Sequence, residues 1–337
     1  MLRRAVCGLF EAQLGVWGNA AVLAASLLVL AKASDVAVDN AVRVSAITGF
    51  SKTTIGFMLV GFSTSLPELF VSIFAALGYG SIGVAIGNVL GANVADVALI
   101  LGLCFLIVAI ECPRHTCFFV DILKEDVGSL YFGLFIASLI PLTLLYFGYA
   151  SRLMGVILLA IFAYYMYRLS KVKTLKDEGP TNAEREKLPR YAALAVAGSV
   201  IVAVTAYFLV NSATYIANAV GIPGIVIGST IVAFGTTSPE LATSVQAVRK
   251  GHLNLALGNI VGSCFVNVTC ILGVALTASP LNVNMAAFSN LAIFSLITNL
   301  FLWYFLSSEK LTWREGAVLL FIYAAFLATS FSYRRPL

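Results

Sequence analysis

Apolar residues occur along this chain in long, nearly unbroken runs, with neither the alternation typical of a half-exposed strand nor the narrow stripe typical of a surface helix. About 20 consecutive apolar residues are enough for a helix to cross a lipid bilayer. The pattern predicts helical spans at 14–34 (with a polar extension to about 47), 53–79, 82–109, 127–147, 150–170, 191–217, 223–248, 252–277, 284–307 and 312–332. We therefore expect an all-α membrane protein with ten transmembrane helices.

Composition agrees with this class. Hydrophobic residues make up 60% of the 337 residues and charged residues only 11%, whereas soluble domains carry about 25% charged residues. The net charge of +5 is modest, and no basic patch interleaved with aromatic residues indicates nucleic-acid binding. The apolar N-terminal run resembles a signal peptide but lacks a clear Ala-x-Ala cleavage site, so we interpret it as a first transmembrane helix with a short amphipathic lead.

One long polar segment, Lys171–Arg190, separates the fifth predicted span from the sixth. It is charged and contains proline and glycine, which is typical of a linker. The segment divides the chain into a first five-helix half (1–170), a linker (171–190) and a second five-helix half (191–337).

The two halves share a pair of motifs. A Ser/Thr cluster runs into Pro-Glu at Glu68 and again at Glu240, and in each half a Gly-Asn-x-x-Gly motif follows. The first motif repeats at an offset of 172 residues and the second at 171, which implies that one residue is deleted between them in the second copy. The matched pairs are Gly56 and Gly228, Phe62 and Phe234, Thr64 and Thr236, Pro67 and Pro239, Glu68 and Glu240, Ser72 and Ser244, Asn88 and Asn259, and Gly91 and Gly262.

An odd number of spans in each half forces the second copy to enter the membrane upside down. This is the inverted-repeat plan of secondary transporters, in which the substrate site lies at the midplane where broken helices meet. The sequence therefore predicts two inverted five-helix repeats with broken helices at an ion site.

The first motif combines a helix break with oxygen ligands. A proline cannot donate to the carbonyl four residues earlier, so Pro67 frees the carbonyl of Ser63, and Pro239 frees that of Gly235. Such carbonyls persist at membrane depth only where another group, such as a cation or water, satisfies them. Thr64 and Thr236 each lie four residues before their glutamate, on the same helix face. Carboxylates, hydroxyls and carbonyls are the hard ligands that Ca²⁺ prefers.

The second motif supplies a polar stripe in each half. Asn88, Ala92 and Asp96 are spaced four residues apart, as are Asn259, Ser263 and Asn267. Packing glycines with interhelical amide bonds would explain one such motif alone. Its pairing with Pro-Glu across a repeat favours an ion site.

These residues carry a resemblance that covers nearly the whole chain. The motifs resemble Gly-Thr-Ser-x-Pro-Glu and Gly-Asn-x-x-Gly-Ser-Asn, the two repeat motifs of the cation/Ca²⁺ exchanger superfamily, and are most similar to those of the compact prokaryotic sodium/calcium exchangers. The resemblance implies that Glu68 and Glu240 are the central Ca²⁺ ligands. It implies that Ca²⁺ and Na⁺ share hydroxyls and carbonyls of Thr64, Ser65, Thr236 and Thr237, and that Asp96, Asn267 and Ser263 complete the sodium sites.

The chain departs from the family pattern at several positions. The first motif reads Phe62-Ser63-Thr64 where Gly-Thr-Ser is usual, Ala92 stands where serine is common, and Ser238 replaces an apolar residue before the proline. In the prokaryotic exchangers the aspartate of the second motif belongs to the second repeat, whereas here Asp96 is in the first and Asn267 in the second.

These features predict a Na⁺/Ca²⁺ antiporter that works by alternating access. The transported Ca²⁺ and Na⁺ are its substrates, with no cofactor, in a lipid bilayer and with a monomer as the functional unit. The alternative is an H⁺- or K⁺-coupled Ca²⁺/cation antiporter, although the proton-coupled branch typically carries Gly-Asn-Ala-x-Glu, which is missing here. An enzyme would need a nucleophile–base pair or metal-binding histidines within the spans, and the sequence shows neither. Broken inverted repeats favour a carrier over a channel.

Lys and Arg residues predict the orientation, because they concentrate in cytoplasmic loops. With the N-terminus outside, 15 of them fall on the cytoplasmic side and 5 on the outer side. We therefore expect a multi-pass protein of the cell membrane with both termini outside and the linker in the cytoplasm.

Overall fold

The computed structural model describes residues 2–48, 61–79, 81–111, 127–170, 186–249, 251, 253–280, 285–307 and 312–332. All regular secondary structure in these ranges is helical, so the all-α prediction is confirmed. The α-helices are α1 (Leu2–Thr48), α2 (Gly61–Thr64), α3 (Leu66–Phe74), α4 (Ile82–Val94), α5 (Gly102–Glu111), α6 (Val127–Phe147), α7 (Arg152–Ser170), α8 (Leu188–Ala219), α9 (Gly224–Ile227), α10 (Ala233–Thr236), α11 (Ser238–Arg249), α12 (Leu253–Val266), α13 (Leu272–Ala278), α14 (Met285–Ser307) and α15 (Trp313–Ser330). Four π-helical segments join some of them, at Ala75–Tyr79, Ala95–Leu101, Gly228–Val232 and Asn267–Ile271.

The described helices overlap the predicted spans, of which residues 53–60 lie outside the described ranges, and several helices are long and apolar enough to cross a bilayer. Within the described residues there are 5 such helices, or 6 if the bent pair Gly224–Thr236 and Ser238–Arg249 is one span. Three further apolar helices, Leu66–Gly78, Phe132–Phe147 and Arg152–Tyr167, are shorter. Near the start of the first span, Gly15 has a φ of 62° and kinks α1. The side chains of the predicted amphipathic lead, residues 2–12, lie outside the described part of the structure.

The distribution of polarity differs from that in a soluble protein in two respects. Large apolar side chains are exposed on the outer helix faces, among them Leu153 at 68% and Val196 at 64%. The interior instead holds buried carboxylates and amides, which include Glu68, Asp96 and Glu240. An exposed apolar surface of this extent matches lipid, and ionisable groups inside a membrane protein mark functional sites.

Small residues bring the second motif of the first half against the second half of the chain. Gly87 and Gly91 of α4 face the segment that leads into α10, where a β-carbon at Gly91 would lie 2.7 Å from the carbonyl carbon of Ser229. From the opposite side, a β-carbon at Gly228 would lie 3.1 Å from the amide nitrogen of Asn88. Glycine permits this close backbone contact, as it does between transmembrane helices in general.

We expect Gly91→Ala to destabilise the protein by about 3 kcal/mol, at the upper end for overpacking, because the added methyl group would overlap the Ser229 backbone too closely for a small shift to relieve. Gly83→Ala on the same helix is the matched control. There the nearest atom would be the Ile225 amide nitrogen at 3.1 Å, so a small shift suffices. Thermal unfolding in detergent measures both variants, and equal melting temperatures would contradict the close crossing at Gly91.

The one-residue difference between the motif copies has a structural counterpart. Residues Ala75–Tyr79, between the two motifs of the first half, form a π-helical turn. The corresponding part of the second half is α11, an α-helix that continues to Arg249. A π-helical turn accommodates one residue more than an α-helical turn. The offset changes from 172 to 171 between Ser72 and Asn88, in the stretch that contains this turn.

Candidate ion-binding site

Each Pro-Glu motif lies at a break between two short helices, as predicted. Ser65 separates α2 from α3, and Thr237 separates α10 from α11. The two residues have nearly the same backbone angles, with φ −80° and ψ 9° at Ser65 and φ −77° and ψ 5° at Thr237. At Thr237 the helix direction changes by 45°.

Both glutamates directly follow these breaks and are fully buried. The relative exposures of Glu68 and Glu240 are 0%. Glu68 interacts electrostatically with Glu240 and with Asp96, whose exposure is also 0%. The structure thus brings together three carboxylates from distant parts of the sequence, which repel one another in the absence of a counter-charge.

Most of their oxygen atoms have no hydrogen-bond donor. In the part of the chain that the structure describes, no donor reaches Oε1 or Oε2 of Glu68, Oδ1 of Asp96 or Oε2 of Glu240. Buried carboxylates are normally paired or bound to a metal ion, because removing a charge from water without compensation is costly. Four unsatisfied oxygens in one place indicate a site for positive charge.

Hydroxyl groups line the Glu240 side of the site. Ser65 donates a hydrogen bond to Glu240 Oε1 over 3.3 Å, and the Ser263 hydroxyl lies 3.5 Å from the same oxygen. The two serine hydroxyls are 2.9 Å apart. The structure therefore brings Ser65 and Ser263, which come from different halves, together at the Glu240 carboxylate.

The carbonyl freed by Pro239 is not left without a partner, as the simplest expectation from the sequence would have it. The carbonyl of Gly235, which Pro239 leaves without its helical donor, accepts a hydrogen bond of 2.8 Å from the hydroxyl of Ser238. The unusual serine before Pro239 thus satisfies the carbonyl that the proline frees. The side chain of Ser63, whose carbonyl Pro67 frees in the same way, lies outside the described part of the structure.

At the breaks themselves, the carbonyl of Ser65 accepts from the amide of Leu69, and that of Thr237 from the amide of Leu241, both over 3.0 Å. The hydroxyl of Thr237 donates to the carbonyl of Phe234 over 3.3 Å. Ser65 therefore presents its hydroxyl to the site, whereas Thr237 directs its hydroxyl back onto its own helix.

The two threonines four residues before the glutamates each contact an asparagine of the opposite half. The hydroxyl of Thr236 donates to Oδ1 of Asn88 over 2.9 Å, and that of Thr64 lies 3.4 Å from Oδ1 of Asn259. Asn259 in turn donates to Ser244 over 3.1 Å. The two threonines and the two asparagines are fully buried. The asparagines of both Gly-Asn motifs thus position the threonines of the other half.

Asp96 and Asn267 occupy equivalent places in π-helical segments. The segment with Asp96 begins at Ala95, and the other begins at Asn267 itself. Such segments are frequent at functional sites. Two residues that the sequence did not single out contact them: Asn93 accepts a hydrogen bond of 3.0 Å from Asn267, and the thiol of Cys264 lies 3.9 Å from Asp96 Oδ2. The sequence feature that could have identified them is their position, since Asn93 lies three residues before Asp96 and Cys264 three residues before Asn267.

The ligand set is mixed. Among the described residues, no group of three or more His, Cys, Asp or Glu side chains is arranged to hold a metal ion. A cation between Glu68 and Glu240 would draw its remaining ligands from hydroxyl, amide and carbonyl oxygens, which suits Ca²⁺ and Na⁺ and not a thiophilic metal.

Sequence comparison connects this site to known proteins. The sequence model of the sodium/calcium exchanger protein family matches residues 18–171 and 190–332. The sodium/calcium exchanger MaX1 of Methanosarcina acetivorans is 30% identical, over 93% of this chain and 98% of its own length. The inner membrane protein YrbG of Escherichia coli is 31% identical, over 80% of this chain and 82% of its own.

Solved structures give the same result for the fold. The sodium-calcium exchanger NCX_Mj superposes with a TM-score of 0.64 at 27% identity, covering 93% of this chain and 99% of the other. The H⁺/Ca²⁺ exchanger CAX superposes with a TM-score of 0.73 at 18% identity, covering 98% of this chain and 92% of the other. At that identity the second match concerns the fold alone. The chain is a membrane protein, a secondary transporter and not an enzyme, and it belongs to the sodium/calcium exchanger family.

Proposed function

We propose that the protein exchanges Na⁺ for Ca²⁺ across the cell membrane. The observation that carries the proposal is the set of four buried carboxylate oxygens, on Glu68, Asp96 and Glu240, that no described donor satisfies. A transported cation would compensate them while bound, and a second cation would have to replace it before the empty carrier reorients. A requirement of this kind is the physical basis of exchange.

The charges of the site favour competition between the two ions. With all three carboxylates ionised the site has a formal charge of −3, which one Ca²⁺ reduces to −1 and several Na⁺ ions neutralise more completely. Both ions prefer hard oxygen ligands, and Ser65 and Ser263 bring hydroxyls to the same place. We propose that Glu68 and Glu240 are the central Ca²⁺ ligands and that Asp96, Asn267 and Ser263 complete the sodium sites. Both ions would share hydroxyls or carbonyls of Thr64, Ser65, Thr236 and Thr237 and the carbonyls of Ser63 and Gly235. Thr237 and Gly235 would do so through oxygen lone pairs that their hydrogen bonds to Phe234 and Ser238 leave unused.

Alternating access between two inverted five-helix repeats, with ten membrane crossings in total, is the mechanism that we infer. Reciprocal packing supports it. A β-carbon at Gly155 of α7 would lie 2.7 Å from the carbonyl oxygen of Gly273 in α13. A β-carbon at Gly316 of α15 would lie 2.7 Å from the carbonyl oxygen of Gly102 in α5. Gly102 and Gly273 are related by the 171-residue offset, so each half packs its last helix against the same position of the other.

We further propose that 1–170 and 191–337 are the two repeats, that residues 171–190 form a cytoplasmic linker between them, and that a monomer in the bilayer is sufficient for function. The family match stops at residue 171 and resumes at 190, which supports this division. Residues 171–185 lie outside the described part of the structure.

The proposed orientation has a direct test. A cysteine introduced at Thr181 is expected to resist membrane-impermeant maleimide in intact cells and to react after permeabilisation, because the linker is cytoplasmic. Each of the native cysteines is first replaced, and a cysteine introduced at Tyr149, between α6 and α7, serves as the control expected to react from outside. Labelling of residue 181 from outside would reverse the topology.

Flux measurements test the function itself. In proteoliposomes, uptake of ⁴⁵Ca²⁺ is expected to require an outward Na⁺ gradient and to be unaffected by K⁺ or H⁺ gradients imposed separately. Uptake driven by H⁺ would identify the coupling of CAX, whose fold this chain shares, and uptake driven by K⁺ would identify a potassium-coupled exchanger. Either outcome would refute sodium coupling while leaving Ca²⁺ antiport in place.

A further inference from the structure

Two contacts between the second motifs are equivalent under the 171-residue offset. Asn93 corresponds to Cys264, and Asp96 corresponds to Asn267. The hydrogen bond from Asn267 Nδ2 to Asn93 Oδ1 is therefore matched by the contact between the Cys264 thiol and Asp96 Oδ2. Each half contributes one residue to the ion site and one residue that contacts the site residue of the other half.

The two equivalent contacts differ in strength. The amide pair has a distance of 3.0 Å, which is ordinary for a good N–H···O hydrogen bond. The thiol is a weak donor, and its sulfur lies 3.9 Å from the carboxylate. Asn267 is thus anchored by a firm hydrogen bond, whereas the equivalent contact of Asp96 with Cys264 is weak, and the Ser263 hydroxyl is a second donor near that carboxylate.

The unsatisfied atoms show what each contact leaves available. Oδ1 of Asn267 and Oδ1 of Asp96 have no donor among the described residues, and both residues have exposures of 0%. Because the Asn267 amide uses its nitrogen on Asn93, its oxygen is the atom left for a ligand. Cys264 uses no more than one oxygen of Asp96, and weakly.

We propose that Asn93 and Cys264 are positioning residues of the cation site. Asn93 orients the Asn267 amide so that its oxygen, and not its NH₂ group, is offered to a cation, and Cys264 leaves the Asp96 carboxylate free to bind one. The inference rests on the proposed function, since it takes the transported cations as the ligands. An apolar residue at 93 releases the amide, and a strong donor at 264 competes with the cation for Asp96.

Asn93 is matched to Asn267 and Cys264 to Asp96, so a site residue should function in the opposite half only when its positioning residue is transferred with it. Exchanging only the site residues, by Asp96→Asn with Asn267→Asp, places the new aspartate opposite Asn93, whose amide can turn over to donate its NH₂ group. The same exchange places the new asparagine opposite a thiol that anchors it poorly. Adding Asn93→Cys and Cys264→Asn transfers both complete pairs to the opposite halves.

Single variants give the first test, in proteoliposomes and per amount of folded protein. We expect Asn93→Leu and Cys264→Asn each to raise the half-saturating Na⁺ concentration by about three- to tenfold, the range that one hydrogen bond in a buried site produces. Cys264→Ser should have a smaller effect. Cys270→Ser, which changes another buried thiol, is the control expected to match the wild type. A purely structural role would lower the yield of folded protein and leave this concentration unchanged.

The decisive comparison is between the variant with all four substitutions (Asn93→Cys, Asp96→Asn, Cys264→Asn and Asn267→Asp) and the double variant at 96 and 267. The variant with all four substitutions is expected to transport Ca²⁺ at least about three times as fast as the double variant Asp96→Asn with Asn267→Asp. Equal rates in the two variants would overturn the proposal. So would an unchanged half-saturating Na⁺ concentration in both Asn93→Leu and Cys264→Asn; if the first does not fold, the second decides. Thermal shifts of the same variants in detergent, titrated with Ca²⁺ and with Na⁺ alone, report binding directly. These binding measurements test the positioning roles of Asn93 and Cys264 even if uptake is not driven by Na⁺ and the proposed coupling is refuted.

Discussion

Changing either Glu68 or Glu240 to glutamine is expected to reduce Ca²⁺ exchange at least about 100-fold while leaving a folded, inserted protein. A 100-fold loss corresponds to about 2.7 kcal/mol, which is modest for the removal of one charge from a dehydrated Ca²⁺ site. Folding should not suffer, because a neutral amide is less costly than a carboxylate inside a membrane protein. Initial rates of ⁴⁵Ca²⁺ uptake, normalised to the folded fraction from size-exclusion chromatography, measure the effect.

Glu315 provides the matched control. This half-buried glutamate caps the start of α15, where it accepts a hydrogen bond of 2.7 Å from the amide of Thr312, and it lies outside the ion site. Glu315→Gln should therefore exchange Ca²⁺ at the rate of the wild type. Near wild-type exchange in Glu68→Gln and in Glu240→Gln would refute the assignment of the paired glutamates.

Asp96→Asn is expected to have the second-largest effect, far larger than that of Asn267→Ala. Asp96 has the third carboxylate of the site, and its unsatisfied Oδ1 is one of the atoms that a cation would compensate. We expect at least about a tenfold loss in Na⁺-driven uptake, a difference of about 1.4 kcal/mol, with weaker Na⁺ coupling, weaker Ca²⁺ transport or both. Uptake measured over a series of Na⁺ concentrations separates these two causes.

The twofold exchange of Asp96→Asn with Asn267→Asp tests where the charge is needed. It restores the number of carboxylates, so it should recover part of the activity lost in Asp96→Asn alone. If Asp96→Asn were silent, or if only changes at Asn267 mattered, the third charge would lie elsewhere and the sodium ligands would be wrongly assigned.

The sequence was sufficient to predict the helix breaks, because their causes are local. Pro67 and Pro239 each remove one hydrogen bond, and the structure interrupts the helix two residues earlier, at Ser65 and Thr237. The burial of both glutamates also followed from local pattern, since each lies within an apolar run. The change in offset showed between which residues the two copies differ in length. It did not predict that a π-helical turn would lie in that stretch.

Contacts between the halves could not be predicted in the same way. Helical spacing shows which residues share a face, but it does not show which residue of another helix lies opposite. The hydrogen bond between Asn93 and Asn267 joins residues 174 positions apart. It depends on the close crossing of α4 with the second half that Gly91 permits. Ser238 is a different case, because its bond to the Gly235 carbonyl spans three residues and was accessible to local reasoning.

The π-helical turn at Ala75–Tyr79 also bears on where the two motif copies tolerate a difference in length. An insertion close to Glu68 would have rotated every following side chain by about 100° and turned polar groups toward lipid. A difference of one residue between Glu68 and the start of α4 at Ile82, the stretch that contains this turn, changes neither motif. Relatives should therefore vary in length at this turn and at its counterpart after Arg249, while the stretches from Thr64 to Glu68 and from Asn88 to Asp96 keep their number of residues.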